Sequence, residues 1–255
     1  DFSYLSKQRE TEKTAGVVYF AGCMGHLTPA VKQAMLKIFD TAGVNYTFLD
    51  EDGSICCGRP LKLAGMKDAA LKLVEENTSK IKRTNAKILV TSCPICYKVF
   101  NSDYKLDGMQ VMHHSVFIDK LVEDKKLTLN PLGIKTVYHD PCELGRGSGI
   151  YEQPRHVLKQ ISEVAGVTEE RANALCCGGS IGELNMSATQ RNVIRDNALN
   201  VLCEPNPDIL VTACPLCKKT FGPGSGTPVL DIAELVAESM NQEKPALKSK
   251  TIVEV

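Results

Sequence analysis

The sequence predicts an α/β protein of two tandem repeated domains, each a small, mostly parallel sheet flanked by helices, and the two related by a pseudo-two-fold axis. A set of five cysteines occurs twice, with a shift of 119 to 121 residues between the copies, which indicates an internal repeat. Short apolar runs also alternate with stretches of helical periodicity. This alternation favours parallel strands joined by crossover helices.

The repeat divides the 255 residues into a lead-in over 1–15, a first domain over 16–128, a second domain over 129–240 and a tail over 241–255. A hydrophobic content of 43% is sufficient for sizeable cores. The polar lead-in is not typical of a signal peptide, and no apolar run approaches the roughly 20 residues of a membrane span. Because the chain lacks an initiator Met, we expect a fragment or a processed form. We expect it in the cytoplasm, either free or held at the membrane by a partner.

The sequence of the first domain predicts strands and helices in alternation. Residues 16–20 are an apolar run typical of a buried strand. Thr28 and Pro29 then offer an N-cap and a first-turn proline, and Gly43 ends the helix that follows. The predicted elements are strands over 16–20, 44–49 and 87–91 and helices over 29–42, 67–84 and 115–123.

The sequence of the second domain predicts a similar order of strands and helices. Pro154 suits the first turn of a helix, and Gly166 suits its end. The predicted elements are strands over 134–138 and 208–212 and helices over 154–165, 181–202 and 229–240.

Ten of the eleven cysteines belong to the two copies of the set. The first set contains Cys23, Cys56, Cys57, Cys93 and Cys96, and the second contains Cys142, Cys176, Cys177, Cys214 and Cys217. In parallel sheets, ligands bind beyond the carboxyl ends of the strands, and several of these cysteines directly follow predicted strands. We therefore expect each set to gather at that edge. Cys203 lies outside both sets and is expected to be a small core residue.

The thiol chemistry favours an iron–sulfur cluster in each domain. One zinc ion takes four ligands in tetrahedral geometry, whereas five soft thiols suit a cluster better. Disulfide frameworks belong mainly to small secreted chains, so zinc and disulfides are the weaker alternatives. The prolines after Cys93 and Cys214 can open helices whose positive ends face the cluster, and Gly178 allows the loop to fold closely around it.

The two copies read Cys-x32-Cys-Cys-x35-Cys-Pro-x-Cys and Cys-x33-Cys-Cys-x36-Cys-Pro-x-Cys. Over residues 16–240 this pattern resembles the CCG-domain (cysteine-rich domain) iron–sulfur family. The resemblance is closest to two components of heterodisulfide reductases, one a complete catalytic subunit and the other the C-terminal, catalytic part of a different subunit. The family also includes iron–sulfur subunits of glycolate, lactate and anaerobic glycerol-3-phosphate dehydrogenases. The resemblance implies that each complete set holds a [4Fe-4S] cluster of non-cubane type.

Because both sets are complete, the resemblance implies the catalytic subunit of a multi-subunit oxidoreductase that reduces or oxidises a small thiol/disulfide substrate. Cleaving a disulfide takes two electrons, and two clusters could deliver one each. The implied partners are a ferredoxin-like iron–sulfur subunit or domain and a flavin-bearing or membrane electron-donor subunit. The alternatives are an electron-transfer iron–sulfur subunit of a lactate/glycolate-type dehydrogenase and a non-catalytic metal-binding interaction module.

The chain offers no other cofactor motif. Residues 145–149 are glycine-rich but do not match G-x-G-x-x-G, so we expect neither a flavin nor a nicotinamide site. Lys plus Arg equals Asp plus Glu, at 30 each, which gives no indication of nucleic-acid binding.

Three further residues are candidates for catalysis. His139 is either a hydrogen-bonded loop histidine or a proton donor to a departing thiolate. Arg59 and Arg146 could offset cluster charge or bind an anionic group of the substrate, and ordinary surface roles are the alternative. We expect the loops bearing Cys57 and Cys177 to face each other across the domain junction, with His139 and either Arg59 or Arg146 near the opening.

Overall fold

The computed structural model describes residues 16–179 and 185–240. Within these ranges the strands are β1 Val17–Phe20, β2 Tyr46–Phe48, β3 Ile88–Thr91, β4 Gln110–His113, β5 Lys135–His139, β6 Glu163–Ala165, β7 Ile209–Thr212 and β8 Val229–Asp231. The helices are α1 Gly22–His26, α2 Pro29–Thr41, α3 Arg59–Leu63, α4 Lys67–Arg83, α5 Pro94–Ser102, α6 His114–Glu123, α7 Gly145–Ser148, α8 Glu152–Ile161, α9 Ala188–Cys203, α10 Pro215–Phe221 and α11 Ile232–Ser239. None of these helices is long and apolar enough to cross a membrane.

Each half of the chain forms one four-stranded sheet in which every strand pair is parallel. The strand order is β2-β1-β3-β4 in the first sheet and β6-β5-β7-β8 in the second. The central strands are apolar runs because both of their faces are covered. The identical order confirms the predicted fold class of two repeated α/β domains.

The two domains share one hydrophobic core. It contains the residues on one face of each sheet, such as Tyr19 in β1 and Tyr138 in β5, together with the apolar faces of α2, α6, α8 and α11. Across the junction α2 packs against α11, and α6 packs against α8. Since α8 is the repeat equivalent of α2, and α11 that of α6, the same helix contact is made twice. This is the arrangement expected of a pseudo-two-fold axis.

The opposite face of each sheet has its own smaller core, which includes most of the thiols. In the first domain Val18 and Phe20 of β1 pack with residues of α4 and α5 and with Cys57, Cys93 and Cys96. In the second domain residues of α9 and α10 pack with Cys177, Cys214 and Cys217. Three thiols of each set are therefore buried in the outer layer of their own domain.

The predicted elements of the first domain are all found, with ends that differ by at most two residues. One detail is wrong. Thr28 makes no side-chain cap for α2, because its hydroxyl instead donates to the carbonyl oxygen of Met24 at 2.7 Å.

Two predicted helices of the second domain are too long. The helix predicted over 154–165 is α8, which ends at Ile161 because Ser162 is extended (φ −148°, ψ 165°). The next three residues form β6 and pair with β5. The helix predicted over 229–240 begins with β8, and Asp231 then caps α11. Of the helix predicted over 181–202, residues 181–184 lie outside the described residues. Residues 185–187 are not helical, and α9 begins at Ala188 with a capping box at Ser187.

Because the core is shared, we expect a single unfolding transition and a large loss of stability when it is truncated. The Phe39 side chain on α2 is fully buried and packs against the rings of Tyr19 and Phe117. Phe39→Ala should lower the free energy of unfolding by about 3–5 kcal/mol, measured by urea denaturation followed by circular dichroism. Leu71→Ala, at a residue that is 61% exposed, is the control and should cost less than about 0.5 kcal/mol. Two well-separated transitions in the wild-type protein would contradict the shared core.

Candidate metal centres

Each cysteine set lies at the carboxyl edge of its sheet. Cys23 is in α1, directly after β1, and Cys93 is the extended residue between β3 and α5. Cys214 has the same position between β7 and α10. The proline after Cys93 and after Cys214 occupies the first turn of the helix that follows, where its missing N–H costs no hydrogen bond.

The thiols of each set lie in one row of side-chain hydrogen bonds. The order in the first row is Cys23, Cys56, Cys57, Cys96, Cys93. The order in the second row is Cys142, Cys176, Cys177, Cys217, Cys214, which is the same by the repeat. Among the described residues, no three His, Cys, Asp or Glu side chains form a site for a single metal ion. A row of five sulfurs offers ligands over a longer span, as a cluster of several irons requires.

Backbone N–H groups point at sulfurs in equivalent positions of the two rows. The N–H of Gly58 lies 3.5 Å from Sγ of Cys56, and the N–H of Gly178 lies 3.4 Å from Sγ of Cys176. Both distances join nitrogen to sulfur. N–H groups directed at sulfur stabilise the thiolate form and also tune a bound cluster.

Hydrogen bonds along the first row shift the pKa values of neighbouring thiols in opposite directions. Hydrogen bonds from Cys23 and Cys57 lower the pKa of Cys56 to about 2. The hydrogen bond from Cys96 lowers the pKa of Cys93. The pKa of Cys57 rises to about 12, mainly because of its hydrogen bond with Cys56. Protons still held by the sulfurs would leave as metal binds.

The turn after each cysteine pair needs glycine. Gly58 and Gly178 have φ of +94° and +78°, in the left-handed region that glycine tolerates best. A Cβ atom on Gly178 would also lie only 2.6 Å from the backbone oxygen of Arg191 in α9. The loop can therefore close onto α9 only without a side chain at this position.

His139 and Arg146 support the chain that leads to Cys176. His139 is the last residue of β5 and is 2% exposed. Its Nε2 donates to the carbonyl oxygen of Leu175 at 3.2 Å, which leaves Nδ1 to accept from the Thr212 hydroxyl at 3.2 Å. Burial lowers the pKa of His139 to about 4. Arg146 donates to the carbonyl oxygen of Ala174 at 2.7 Å. These side chains therefore contact the backbone before the cysteine pair.

Arg59 reaches across the domain junction. Its guanidinium lies 3.7 Å from one carboxylate oxygen of Glu143, and Nζ of Lys98 lies 3.0 Å from the other. Glu143 immediately follows Cys142, and Lys98 comes two residues after Cys96. Lys98 and Glu143 were not predicted from the sequence, although their closeness to cysteines was a usable signal. Two cations thus share one carboxylate between the domains.

The second cysteine set faces the first domain. A cavity of about 20 Å³ lies against this set, and its wall includes Cys142, Cys177 and Cys217. Pro94 and Ile95, which lie between the last two cysteines of the first set, also line the cavity. In the reciprocal position, α1, which carries the first cysteine of the first set, contacts α10. The second set therefore lies against the first domain, and the helix that carries Cys23 lies against the second domain.

A buried carboxylate holds the turn into Cys23. Asp50 is fully buried, and its two oxygens accept the N–H groups of Ala21 at 2.9 Å and Gly22 at 2.8 Å. Asp50 was not predicted from the sequence, because an acidic residue after a short strand carries no motif. In the second domain a different carboxylate, Asp140, is buried beside the first cysteine and is held by two hydrogen bonds of 2.7 Å from the Arg155 guanidinium.

The fold and the two thiol rows define a tandem α/β protein whose sites suit iron–sulfur clusters. The model of the cysteine-rich domain, CCG, matches the chain twice, over residues 17–101 and 136–222. Each match contains one complete set of five cysteines. The chain belongs to this CCG cysteine-rich domain family, which confirms the resemblance drawn from the cysteine spacing.

Similar proteins are components of iron–sulfur oxidoreductases. The chain is 31% identical over 246 residues to one subunit of the dihydromethanophenazine:CoB–CoM heterodisulfide reductase of Methanosarcina barkeri, covering 90% of this chain and 60% of that protein. It is 29% identical over 252 residues to an EtfAB:quinone oxidoreductase of Syntrophomonas wolfei, covering 91% of this chain and 35% of that protein. One subunit of a fumarate reductase (CoM/CoB) from Methanothermobacter marburgensis is 28% identical over 203 residues, with coverages of 78% and 40%. The chain thus spans less than two thirds of each of these relatives, and all three are oxidoreductases or subunits of reductases.

We expect Gly178→Ala to remove the second centre selectively. The new methyl group would meet the backbone of α9, so the cysteine pair could not keep its place. Iron and acid-labile sulfide per chain, measured after anaerobic purification, should fall to half of the wild-type values. Gly166→Ala is the matched control, because a Cβ atom at Gly166 has no atom within 4 Å, and its iron content should be unchanged. Full iron content in Gly178→Ala would contradict this account of the loop.

Proposed function

We propose that this chain is the catalytic iron–sulfur subunit of an oxidoreductase of heterodisulfide-reductase type. It would reduce or oxidise a small thiol/disulfide substrate at two [4Fe-4S] clusters of non-cubane type. The observations that carry the proposal are that both five-thiol rows are complete, that the second row lies against the first domain, and that the helix of Cys23 lies against the second. A disulfide entering the domain junction would have a redox centre on each side.

The cysteines of the two rows would be the cluster ligands. When bound, the clusters would supply the two electrons that disulfide cleavage takes, one from each. The N–H groups of Gly58 and Gly178 would stabilise charge on the ligand sulfurs. Pro94 and Ile95 would cover the second site and keep water from it. These assignments use only groups that already point at, or lie against, the thiol rows.

The charged residues at the junction would bind the substrate. Arg59 and Lys98 share the single carboxylate of Glu143, so these three side chains together carry one net positive charge. We propose that these cations attract an anionic group of the substrate or stabilise the thiolates that form on reduction. Arg146 already donates to backbone carbonyls, which favours a supporting role for it in place of a substrate contact.

For His139 we propose a positioning role. Both ring nitrogens already have hydrogen-bond partners, and burial lowers its pKa to about 4, so it carries no spare proton at neutral pH. It fixes the carbonyl group of Leu175, one residue before the second cysteine pair. Of the two alternatives that the sequence left open, this favours the hydrogen-bonded histidine over the proton donor.

The electron donor would be a partner. The relatives are longer than this chain, and we propose that a ferredoxin-like iron–sulfur subunit or domain, fed by a flavin-bearing or membrane subunit, delivers the electrons. The complex would then work in the cytoplasm or at the inner face of a membrane through that partner.

A second candidate is an electron-transfer subunit, as in a hydroxy-acid dehydrogenase complex. The cavity beside the second row, at about 20 Å³, has room for about one water molecule. A disulfide would need the domains to part, whereas electron relay would not. This candidate also agrees with the similarity to an oxidoreductase that acts on quinone.

The metal content separates these candidates from a zinc-binding interaction module. We expect about eight irons and as many acid-labile sulfides per chain after anaerobic purification, from two four-iron clusters. Cys177→Ser should lose the second centre alone, since each row lies within one domain. Cys203→Ser is the control, because Cys203 contacts Thr227 and neither row. Stoichiometric zinc without sulfide would exclude both redox candidates.

Turnover distinguishes the two redox candidates. With a chemically reduced ferredoxin as donor, the wild-type protein should release thiols from small anionic disulfides, and Cys57→Ser and Cys177→Ser should each abolish this release. Cys203→Ser should turn over like the wild-type protein. Thiol release that persists with one row broken would show that a single centre suffices. Failure of every tested disulfide, together with rapid reduction of a quinone analogue, would favour the electron-transfer role.

A further inference from the structure

The carboxylate of Glu143 connects the two domains at the edge of their junction. One of its oxygens lies 3.0 Å from Nζ of Lys98, and the other lies 3.7 Å from the guanidinium of Arg59. Lys98 belongs to α5 and Arg59 begins α3, whereas Glu143 lies between β5 and α7. One side chain thus joins two segments that carry or follow cysteines of the first row to the residue that directly follows Cys142.

Gly147 in α7 leaves room for this contact. A Cβ atom at Gly147 would lie only 2.9 Å from Oε2 of Glu143 and 3.4 Å from Nζ of Lys98. Gly147 is not one of the glycines with a positive φ, so its backbone conformation does not itself require glycine. The missing side chain at this position therefore serves the ion pair between the domains.

Glu143 also borders the second cysteine row. Apart from the cysteines, it is the one ionisable residue among the described residues that line the cavity of about 20 Å³. The side chains of Glu143 and Arg59 are both 27% exposed, and that of Lys98 is 41% exposed. Ion pairs between partly exposed side chains contribute little to stability. Glu143 can therefore exchange places with another anion at small cost to the fold.

The repeat does not contain a second copy of this group. At the position of Glu143 the first domain has Met24, and at the position of Arg59 the second domain has Gly179. Only the lysine is repeated, as Lys219. Because the reciprocal side of the junction forms without the carboxylate and the arginine, the pseudo-symmetric fold does not need them. This favours a function for the group that belongs to one side of the junction alone.

We propose that Arg59 and Lys98 form an oxyanion-binding site, and that a carboxylate, sulfonate or phosphate group of a ligand displaces Glu143 from it. Glu143 and the ligand then compete for the same two cations. With Glu143 in place the three side chains keep one net positive charge, which attracts an anion to the junction. The guanidinium offers paired N–H donors that match an oxyanion, and the ammonium adds a compact positive charge.

The exchange also opens the second cysteine row. While Glu143 is bound to the first domain, the cavity beside the row has room for about one water molecule. Displacement frees the Glu143 side chain, which lines this cavity, from Lys98 and Arg59. The same event that binds the anion thus widens the approach to Cys142 and its neighbours, without separating the apolar core that the two domains share.

This inference rests on the proposed function only where it takes the ligand to be a small anionic thiol or disulfide. The exchange itself involves no electron and no bond to sulfur. It makes Glu143 a specificity-determining residue, since a ligand without an oxyanion cannot displace it.

The test is the binding of inorganic phosphate to the anaerobically purified protein, measured by isothermal titration calorimetry at constant ionic strength and neutral pH. Glu143→Gln keeps the size of the side chain and removes the competing charge. If the wild-type Glu143 releases the cations in about a tenth of the molecules, this variant should bind phosphate about tenfold more tightly, because apparent affinity scales with the fraction able to bind. Adding Arg59→Gln to Glu143→Gln should abolish the gain.

Asp124→Asn is the matched control. Asp124 pairs with Lys120 at 3.0 Å on the exposed surface of α6, so this variant makes the same change in net charge and also frees a lysine. Its phosphate affinity should equal that of the wild-type protein. Glu143→Asp keeps the charge on a shorter side chain and should bind phosphate with intermediate affinity, which gives a second comparison if Glu143→Gln loses iron.

The outcomes separate this inference from the proposed function. Equal phosphate affinities in the wild-type, Glu143→Gln and Glu143→Asp proteins would overturn it, and so would an equal gain in Asp124→Asn. A gain confined to the Glu143 variants that depends on Arg59 would support it. If that gain is found but no anionic disulfide is turned over, the oxyanion site stands and the proposed function alone is refuted.

Discussion

The pairing of the two central strands in each sheet is the constraint on which the rest of the structure depends. Cys23 and Cys93 are 70 residues apart in the chain, yet they meet because Phe20 of β1 lies beside Thr91 of β3. In the second domain His139 lies beside Thr212 in the same way. A slip of one residue would turn every side chain to the opposite face of the sheet. Both the packing of the core and the convergence of the thiols at the carboxyl edge would then be lost.

Two helix–helix contacts across the domain junction hold the two domains together. Because α2 packs on α11 and α6 on α8, the apolar faces that each domain would otherwise expose are buried together. The N-terminal ends of α6 and α11 also place polar groups in the junction, namely His114 and the capping residue Asp231. Outside this core, Glu143 binds Lys98 and Arg59 across the gap. The His114–Asp231 hydrogen bond and the contacts of Glu143 are therefore consequences of this interface, whereas each thiol row forms within its own domain.

The sequence was most informative where a local pattern is repeated and least informative where a contact joins the two domains. The cysteine spacing and the apolar central strands predicted the fold class and both candidate sets. The edge strands β4, β6 and β8 were missed because they are three or four residues long and partly exposed, so they lack a continuous apolar run. The burial of His139 was missed because its partners, Thr212 and Leu175, come from distant segments. Lys98 and Glu143 were missed because their closeness exists only after the domains pack.

The two domains repeat the thiol rows but not the groups around them. Asp50 holds the turn into Cys23 in the first domain, whereas the second domain has the Asp140–Arg155 ion pair beside Cys142. Cys23 is also more exposed than Cys142. Solvent exposure, nearby charge and hydrogen bonds to sulfur all set the reduction potential of an iron–sulfur centre. Two centres with the same ligands would therefore differ in reduction potential. The residues that differ between the two domains would then determine which centre accepts an electron first.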